Sequence, residues 1–263
     1  MNKISLVINT LNEEKYIAAC INSAKSVADE IIVCDMHSDD NTVSIAESLG
    51  AKIVYHERTG YVEPARFFAI SQASHEWVLV LDADEQFTEK LGLELKKIVE
   101  NNSADLVLFA SLYNYFGKYI KNGGFFENNW PRFFKKANYI DVYNTDEEIV
   151  HQNFSNLCKK TIRQIRLSKN YFIIHDAYPT IEKYIQKTLC NYSIIESNGR
   201  FVNGENINFS RVILFPLKEF TKRYFFQSGF KDGRIGLILC YLKSQYSFYV
   251  LLNLWFLNKD KKL

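Results

Sequence analysis

The chain has 263 residues, 32 Lys/Arg against 30 Asp/Glu, and a 47% hydrophobic content, enough for one large domain with a substantial core. A net charge of +2 argues against a general nucleic-acid binder. Five scattered cysteines (Cys20, Cys34, Cys158, Cys190, Cys240), an odd number with no C-x-x-C pair, argue against zinc and against a fully paired disulfide framework. Met1 to Leu6 passes straight into a strand with no secretory h-region, so the economical expectation is a reduced, cytosolic protein.

Taken in order, Ile4 to Ile8 is predicted as an apolar strand with Thr10-Leu11-Asn12-Glu13-Glu14 at its carboxyl end. A helix is expected from about Glu13 to Ser26, with Ile17, Cys20, Ile21 and Ala24 at helical spacing. Glu30 to Cys34 is a second strand, closed by Asp35. The polar turn Met36 to Thr42 opens a helix through Leu49, with Gly50 as its C-cap. Lys52 to Tyr55 is a third strand, and Val62 to Ser74 a helix with Pro64 in its first turn, where proline is tolerated. Val78-Leu79-Val80-Leu81 then reads as a strand buried on both faces, ending abruptly in Asp82, Asp84 and Glu85.

Carboxylates at the end of a buried strand cost several kcal/mol unless something pairs with them. Asp82 and Asp84 lie two apart, so in extended backbone they point the same way and suit one Mg²⁺ or Mn²⁺ bridging a diphosphate. The competing reading is a helix N-terminus, with Asp84 or Glu85 favouring the helix dipole. Four rounds of strand and helix imply a mainly parallel sheet covered by helices. Polar and acidic groups follow strands one, two and four, and so fall on one edge of the sheet, where ligands of such folds bind.

Beyond residue 100 the rhythm changes. Asp105 to Leu112 is expected as a fifth strand, and Arg132-Phe133-Phe134-Lys135-Lys136 as an edge strand inside a Gly-, Asn- and aromatic-rich stretch. Asp146-Glu147-Glu148 is an acidic knot, Tyr171 to Ile174 a strand ending in His175-Asp176, and Thr180 to Ser197 a helix. From Val212 onward nine Lys/Arg stand against three Asp/Glu. Ile235 to Leu257 is long enough to span a bilayer as a helix, but Lys243 sits near its middle, where a lysine is expensive. Its tyrosines and Trp255 suit a water–lipid boundary, and the alternative is a helical pair packed on the catalytic domain or on a second subunit.

With these loops in hand, the chain resembles the family 2 glycosyltransferases of the GT-A fold, and within them the bacterial enzymes that extend the lipopolysaccharide or lipooligosaccharide inner core. Thr10-Leu11-Asn12-Glu13-Glu14 is similar to the family's T-x-N-E-E, Asp35 with Ser38-Asp39-Asp40-Asn41-Thr42 to its D-x-x-S-x-D-x-T, and Asp82-Ala83-Asp84 to its D-x-D. Ala65-Arg66 matches the A-R-N of the third helix, with Phe67 in place of Asn. The subgroup likeness rests on Asn114-Tyr115-Phe116-Gly117, Gly123-Gly124, Arg132-Phe133-Phe134, Ile174-His175 and the run from Gly229 to Leu237.

The resemblance implies an α/β GT-A fold, a Rossmann-like mixed sheet flanked by helices. It implies a catalytic domain over 1–205, with nucleotide-sugar binding in 1–112 and the acceptor side in 113–205, and a basic, aromatic helical extension over 206–263. It implies that Thr10, Asn12, Glu13, Asp35, Arg66 and Asp82 hold the uridine of a UDP-sugar, and that Asp84, with His175, binds Mn²⁺ or Mg²⁺. Inversion at the anomeric carbon needs a carboxylate to deprotonate the acceptor hydroxyl. Where the subgroup carries V-H-E this chain has Val150-His151-Gln152, and where it carries G-G-W-x-P-D this chain has Gly123-Gly124-Phe125-Phe126-Glu127-Asn128. Glu148 is therefore the first candidate base, ahead of Glu147 and Asp146, with Glu127 behind them. The expectation is an inverting hexosyltransferase with a lipid-linked saccharide acceptor, working at the inner face of the bacterial inner membrane and with no nucleic-acid partner. The alternatives are another polysaccharide or protein acceptor, and a nucleotide-sugar-binding scaffold without turnover.

Overall fold

The computed structural model describes residues 3–58, 62–127, 130–138 and 162–260. The chain divides into two compact units, Met1–Ser111 with Glu127–His175 and Leu112–Phe126 with Asp176–Leu263. Segment 113–205, expected as the acceptor side, is thus shared between the two.

In the first unit β1 (Ile4–Thr10), β2 (Glu30–Asp35), β3 (Lys52–Tyr55) and β4 (Trp77–Asp82) alternate with α1 (Ile17–Ala24), α2 (Thr42–Ser48) and α3 (Glu63–Ser71). β5 (Glu85–Phe87), α4 (Glu89–Asn101), β6 (Leu106–Tyr115), β8 (Trp130–Lys135), β9 (Gln164–Arg166) and β10 (Phe172–Tyr178) follow, with β7 (Lys118–Tyr119) between β6 and β8 in the chain. Strand order is β3-β2-β1-β4-β8-β6-β10-β5, and β7 and β9 both pair with β6. β1 runs parallel to β2 and β4, in a register that sets Thr10 opposite Asp35 and Asn9 opposite Asp82. The carboxyl ends of three strands are therefore level.

Period-two alternation explains the two cores. Leu6, Ile8, Leu79, Leu81 and Phe133 face α1 and α4 through Ile17, Ile21, Leu91 and Leu95. Their sequence neighbours Val7, Val78, Val80 and Phe134 face the other way, onto Ala65, Ala69 and Ile70 of α3. Every residue of β1 is buried, as expected of a strand covered on both sides.

Two expectations change. β8 is not an edge strand: it lies between β4 and β6, antiparallel to both, so the sheet is mixed and its second half is not parallel. Phe133 and Phe134 are fully buried, and Trp77 stacks on Phe133 at 4.7 Å between ring centroids. The run gave little alternation because consecutive aromatics fill both faces at once. Helix α1 begins at Ile17 rather than near Glu13; the residues before it form a turn, and the amides of Glu13 and Glu14 are bonded across to Thr42 and Asp40.

The second unit is helical: α5 (Ile181–Tyr184) continues through wider π turns over Ile185–Tyr192 into α6 (Ser193–Val202), followed by α7 (Phe209–Thr221) and α8 (Gly233–Asp260). Two glycine-bearing segments meet here. Gly123 and Gly124 both take positive φ, the backbone that favours glycine, and Arg223 Nη1 donates to Gly123 O at 2.8 Å. Asn122 N donates to Asp232 Oδ2 at 2.8 Å, which ties that turn to the segment before α8, and a Cβ on Gly236 would lie 2.1 Å from Gly229 O, so the start of α8 packs its backbone against Gly229. Gly229–Asp260 is long and apolar enough to cross a membrane by length and composition, with 39% of its most apolar window buried. Among its residues Ser244 donates to Pro216 O, and burial pushes the Lys243 ammonium below its usual pKa, with Lys243 Nζ 4.2 Å from the Tyr246 ring centroid. The cysteines described, Cys20, Cys34, Cys190 and Cys240, are free thiols.

Since Phe133 is closed in by the central sheet and stacked on Trp77, Phe133→Ala should cost about 3–5 kcal/mol of stability. Urea unfolding of the two proteins checks this, and a loss below about 1 kcal/mol, ordinary for a surface substitution, would put β8 back at an edge.

Candidate active site

The site is built at the carboxyl edge of β1, β2 and β4. Two loops there are tied to each other. Asn12, with φ 57°, donates from its amide to Ser38 Oγ at 2.8 Å, and its Oδ1 accepts from Asp39 N at 2.7 Å. Glu13 N donates to Thr42 Oγ1 at 2.8 Å, Glu14 N to Asp40 Oδ2 at 3.1 Å, and Asn41 Nδ2 to Glu14 Oε2 at 3.0 Å. The loop after β1 and the loop after β2 therefore form one hydrogen-bonded ledge. Asp35, fully buried, anchors it by accepting from both the amide and the hydroxyl of Ser38. Arg58 closes the outer side by donating to Met36 O and Asp39 Oδ2.

Beside this ledge Asn9 and Thr10 are buried, and the side-chain oxygen and nitrogen of Asn9 and the hydroxyl of Thr10 have no hydrogen-bond partner among the described residues. Leaving such groups unsatisfied costs roughly 1–3 kcal/mol each.

The end of β4 holds a cluster of buried charge. The chain turns at Ala83 and Asp84, so Asp82 and Asp84 do not share one direction as extended backbone would give. Asp82 Oδ1 accepts from Arg66 Nη2 of α3 at 2.6 Å, and Asp82 Oδ2 from Arg132 Nη2 of β8 at 3.1 Å. Arg132 Nη2 also lies 3.1 Å from Glu85 Oε1, and Glu85 Oε2 accepts from the Asp82 amide at 2.8 Å. Asp84 Oδ1 is 3.2 Å from His175 Nε2, while His175 Nδ1 is 3.3 Å from Glu85 Oε1. Antiparallel pairing of β10 with β5 sets His175 directly opposite Glu85. Glu85 begins a strand, and the next helix starts only at Glu89, so neither Asp84 nor Glu85 sits at a helix N-terminus.

The electrostatics follow from who touches whom. Burial opposes ionisation of Asp82, but Arg132, Arg66 and His175 outweigh it and hold its carboxyl well below the usual range. Burial raises the pKa of Glu85 above the ordinary value, with Asp82 adding to the rise and Arg132 opposing it. For His175 burial favours the neutral ring, but Asp84 and Glu85 prevail and raise its pKa.

A divalent cation fits this donor set. A carboxylate oxygen and an imidazole nitrogen 3.2 Å apart can share one ion, whose remaining positions are left for phosphate oxygens and water. Glu85 on the far ring nitrogen would fix which nitrogen faces that ion. No group of three His, Cys, Asp or Glu side chains arranged to hold a metal occurs among the described residues.

Of the residues singled out from sequence, Asp82, Arg66, Asp84 and His175 meet in this cluster. Thr10 and Asp35 stand opposite each other in the sheet register, and Asn12 and Glu13 lie in the ledge. Asp146, Glu147 and Glu148 lie outside the described residues. Glu127 is described and exposed. Two members went unassigned from the sequence, Glu85 and Arg132. The available signal was the arginine itself, a permanent cation set beside two aromatics in a strand.

Against known proteins, residues 5–188 match the model of the glycosyl transferase family 2, most of the chain. The chain belongs to that family. An uncharacterized glycosyltransferase of Rickettsia typhi is 44% identical over 108 residues, 41% of this chain and 37% of the relative. The prophage-derived glycosyltransferase SunS of Bacillus subtilis is 32% identical over 119 residues, 43% of this chain and 28% of the relative. The chain thus matches well under half the length of these curated relatives. Over its whole length it is similar in fold to residues 1–349 of S. aureus TarS, solved in complex with UDP-GlcNAc. That likeness has a TM-score of 0.57 at 15% identity and covers 99% of this chain and 91% of the other. The mixed sheet flanked by helices is thus the GT-A architecture, with a helical C-terminal part.

Arg132 compensates the fully buried Glu85 and the partly buried Asp82, so removing it strands charge. Arg132→Met should destabilise the protein by about 3–5 kcal/mol at neutral pH, and Arg132→Met with Glu85→Gln should recover part of that loss. Denaturant midpoints of the two variants decide it; equal midpoints for Arg132→Met and wild type would show that Arg132 carries no such load.

Proposed function

We propose that the chain is an inverting, metal-dependent glycosyltransferase that moves a hexose, with glucose the first to test, from a UDP-sugar to a lipid-linked lipopolysaccharide or lipooligosaccharide core. The observation that carries the donor half is the convergence on one sheet edge of the Asp84–His175 pair and the Arg-held Asp82. The acceptor half rests on the resemblance of the later motifs and on the basic C-terminal fifth, which suits a phosphate-rich acceptor at the inner membrane face.

Asp84 and His175 would hold Mn²⁺ or Mg²⁺, and a cation there supplies charge neutralisation for a departing diphosphate. Asp82, held ionised by Arg66 and Arg132, offers carboxylate oxygens to ribose hydroxyls. Thr10 and Asn9 offer polar atoms that gain partners when a uridine settles on the ledge. Asp35 fixes the loop on which that uridine would rest. Glu148 takes the proton of the acceptor hydroxyl as that oxygen attacks the anomeric carbon, and Glu147 and Asp146 are next in order for the role.

Release of UDP from a panel of UDP-sugars, with and without Mn²⁺, tests the reading: slow Mn²⁺-dependent release from one sugar supports it, and tight binding with no release from any would leave a binding scaffold. Two substitutions divide the roles. Asp84→Ala should abolish transfer and Mn²⁺-dependent UDP binding with the protein still folded; near-wild-type turnover after chelator treatment would end the metal mechanism. Glu148→Gln should remove transfer while leaving UDP-sugar affinity nearly unchanged, because a base acts on the acceptor. An undiminished rate in that variant would move the role to Glu147, Asp146 or Glu127.

A further inference from the structure

Helix α7 is apolar on the side that nothing in its unit covers. It buries a single stripe, Val212 and Pro216, against α8, where Val212 packs with Leu251 and Leu254. Ser244 Oγ of α8 donates to Pro216 O at 2.8 Å on the same side. At about 100° per residue, Ile213, Leu214 and Leu217 stand away from that stripe. They are 44%, 63% and 61% exposed, and Phe226 at the end of the same helical run is 81% exposed.

The other flank is basic. Arg211, Lys218 and Lys222 recur at i, i+7 and i+11, which brings them close to one line along the helix, and all three are exposed. Arg211 pairs with Glu205 at 3.1 Å, so Lys218 and Lys222 carry the flank's charge. A buried stripe, an exposed apolar strip and a cationic flank beside it is the distribution of a helix lying in a membrane interface. There the leucines enter the acyl boundary and the lysines reach the headgroups. α8, the longer helix, also exposes apolar residues, Leu237, Tyr241, Tyr249 and Phe256, but none is more than 55% exposed, against 61–63% for Leu214 and Leu217 of α7.

We propose that α7, with the turn that follows it, is the surface by which this chain docks on an anionic lipid bilayer, and that α8 is the support on which it is mounted. This deepens the membrane-surface part of the proposed function and is independent of its sugar chemistry. Charge selects the occupant: a second copy of the chain would set the Lys218–Lys222 flank against a like surface or leave it outside the contact, whereas anionic headgroups neutralise it.

The test is flotation of the purified full chain with phosphatidylglycerol-containing vesicles and with pure phosphatidylcholine vesicles, at low and high salt. Binding to the anionic vesicles that falls with salt is expected. Lys218→Gln with Lys222→Gln should lower the partition coefficient roughly tenfold or more, and Leu214→Ser with Leu217→Ser should remove binding. Both pairs lie on the surface, so unfolding midpoints and UDP-sugar hydrolysis in vesicle-free buffer should stay as in wild type. Absence of binding at low salt, or binding that ignores both pairs, overturns the proposal. So does a soluble dimer dispersed by the leucine pair. Loss of hydrolysis in the wild type with vesicle binding intact would instead count against the sugar chemistry.

Discussion

The structure turns on the compensation of buried charge at the end of β4. Glu85 is fully buried and Asp82 partly so, and an isolated ion in such a place is costly to keep. Arg66 from α3 and Arg132 from β8 provide the opposite charge from two sides, and His175 from β10 stands 3.3 Å from Glu85. Three elements far apart in sequence are thereby held to one strand end. Asp84, in the turn that follows β4, stands 3.2 Å from His175 Nε2. The pair proposed to hold a cation thus adjoins this charge network.

That network reaches into the mixed part of the sheet. A parallel β/α array can bring strand ends level, as it does for Thr10, Asp35 and Asp82, but β4 needs a neighbour that carries a cation inward. β8 enters antiparallel between β4 and β6 and does this with Arg132 while filling both faces with Phe133 and Phe134. The ledge of the first two loops solves a different problem. Its side chains spend much of their hydrogen bonding on each other, so the two loops hold one another in place.

Much of this was legible in the residues, because the signals were local. Apolar strands ending in acids, a proline in the first turn of α3 and helical spacing in α1 each give an element without knowledge of the rest. Asp82 and Asp84 drew attention because acids at the end of a buried strand need a reason, whereas Arg66 and His175 were pointed to only by the family resemblance, and His175 lies within β10 rather than at its end. What was not legible depended on pairing across distance. The antiparallel register of β8, the opposition of His175 and Glu85, and the turn that sends Asp82 and Asp84 to different partners are set by tertiary contacts. The C-terminal helices show the limit from the other side: hydropathy pointed to Ile235 to Leu257, while burial leaves the larger apolar strip on α7.

The central claim is that Asp84 and His175 together hold the cation that meets a nucleotide diphosphate. Crystals grown with Mn²⁺ and UDP, measured at a wavelength where manganese scatters anomalously, test it most directly. The account expects one anomalous peak bonded to Asp84 and His175 and to the diphosphate oxygens. UDP bound on the ledge with no peak there, or with manganese held by other side chains, would contradict it.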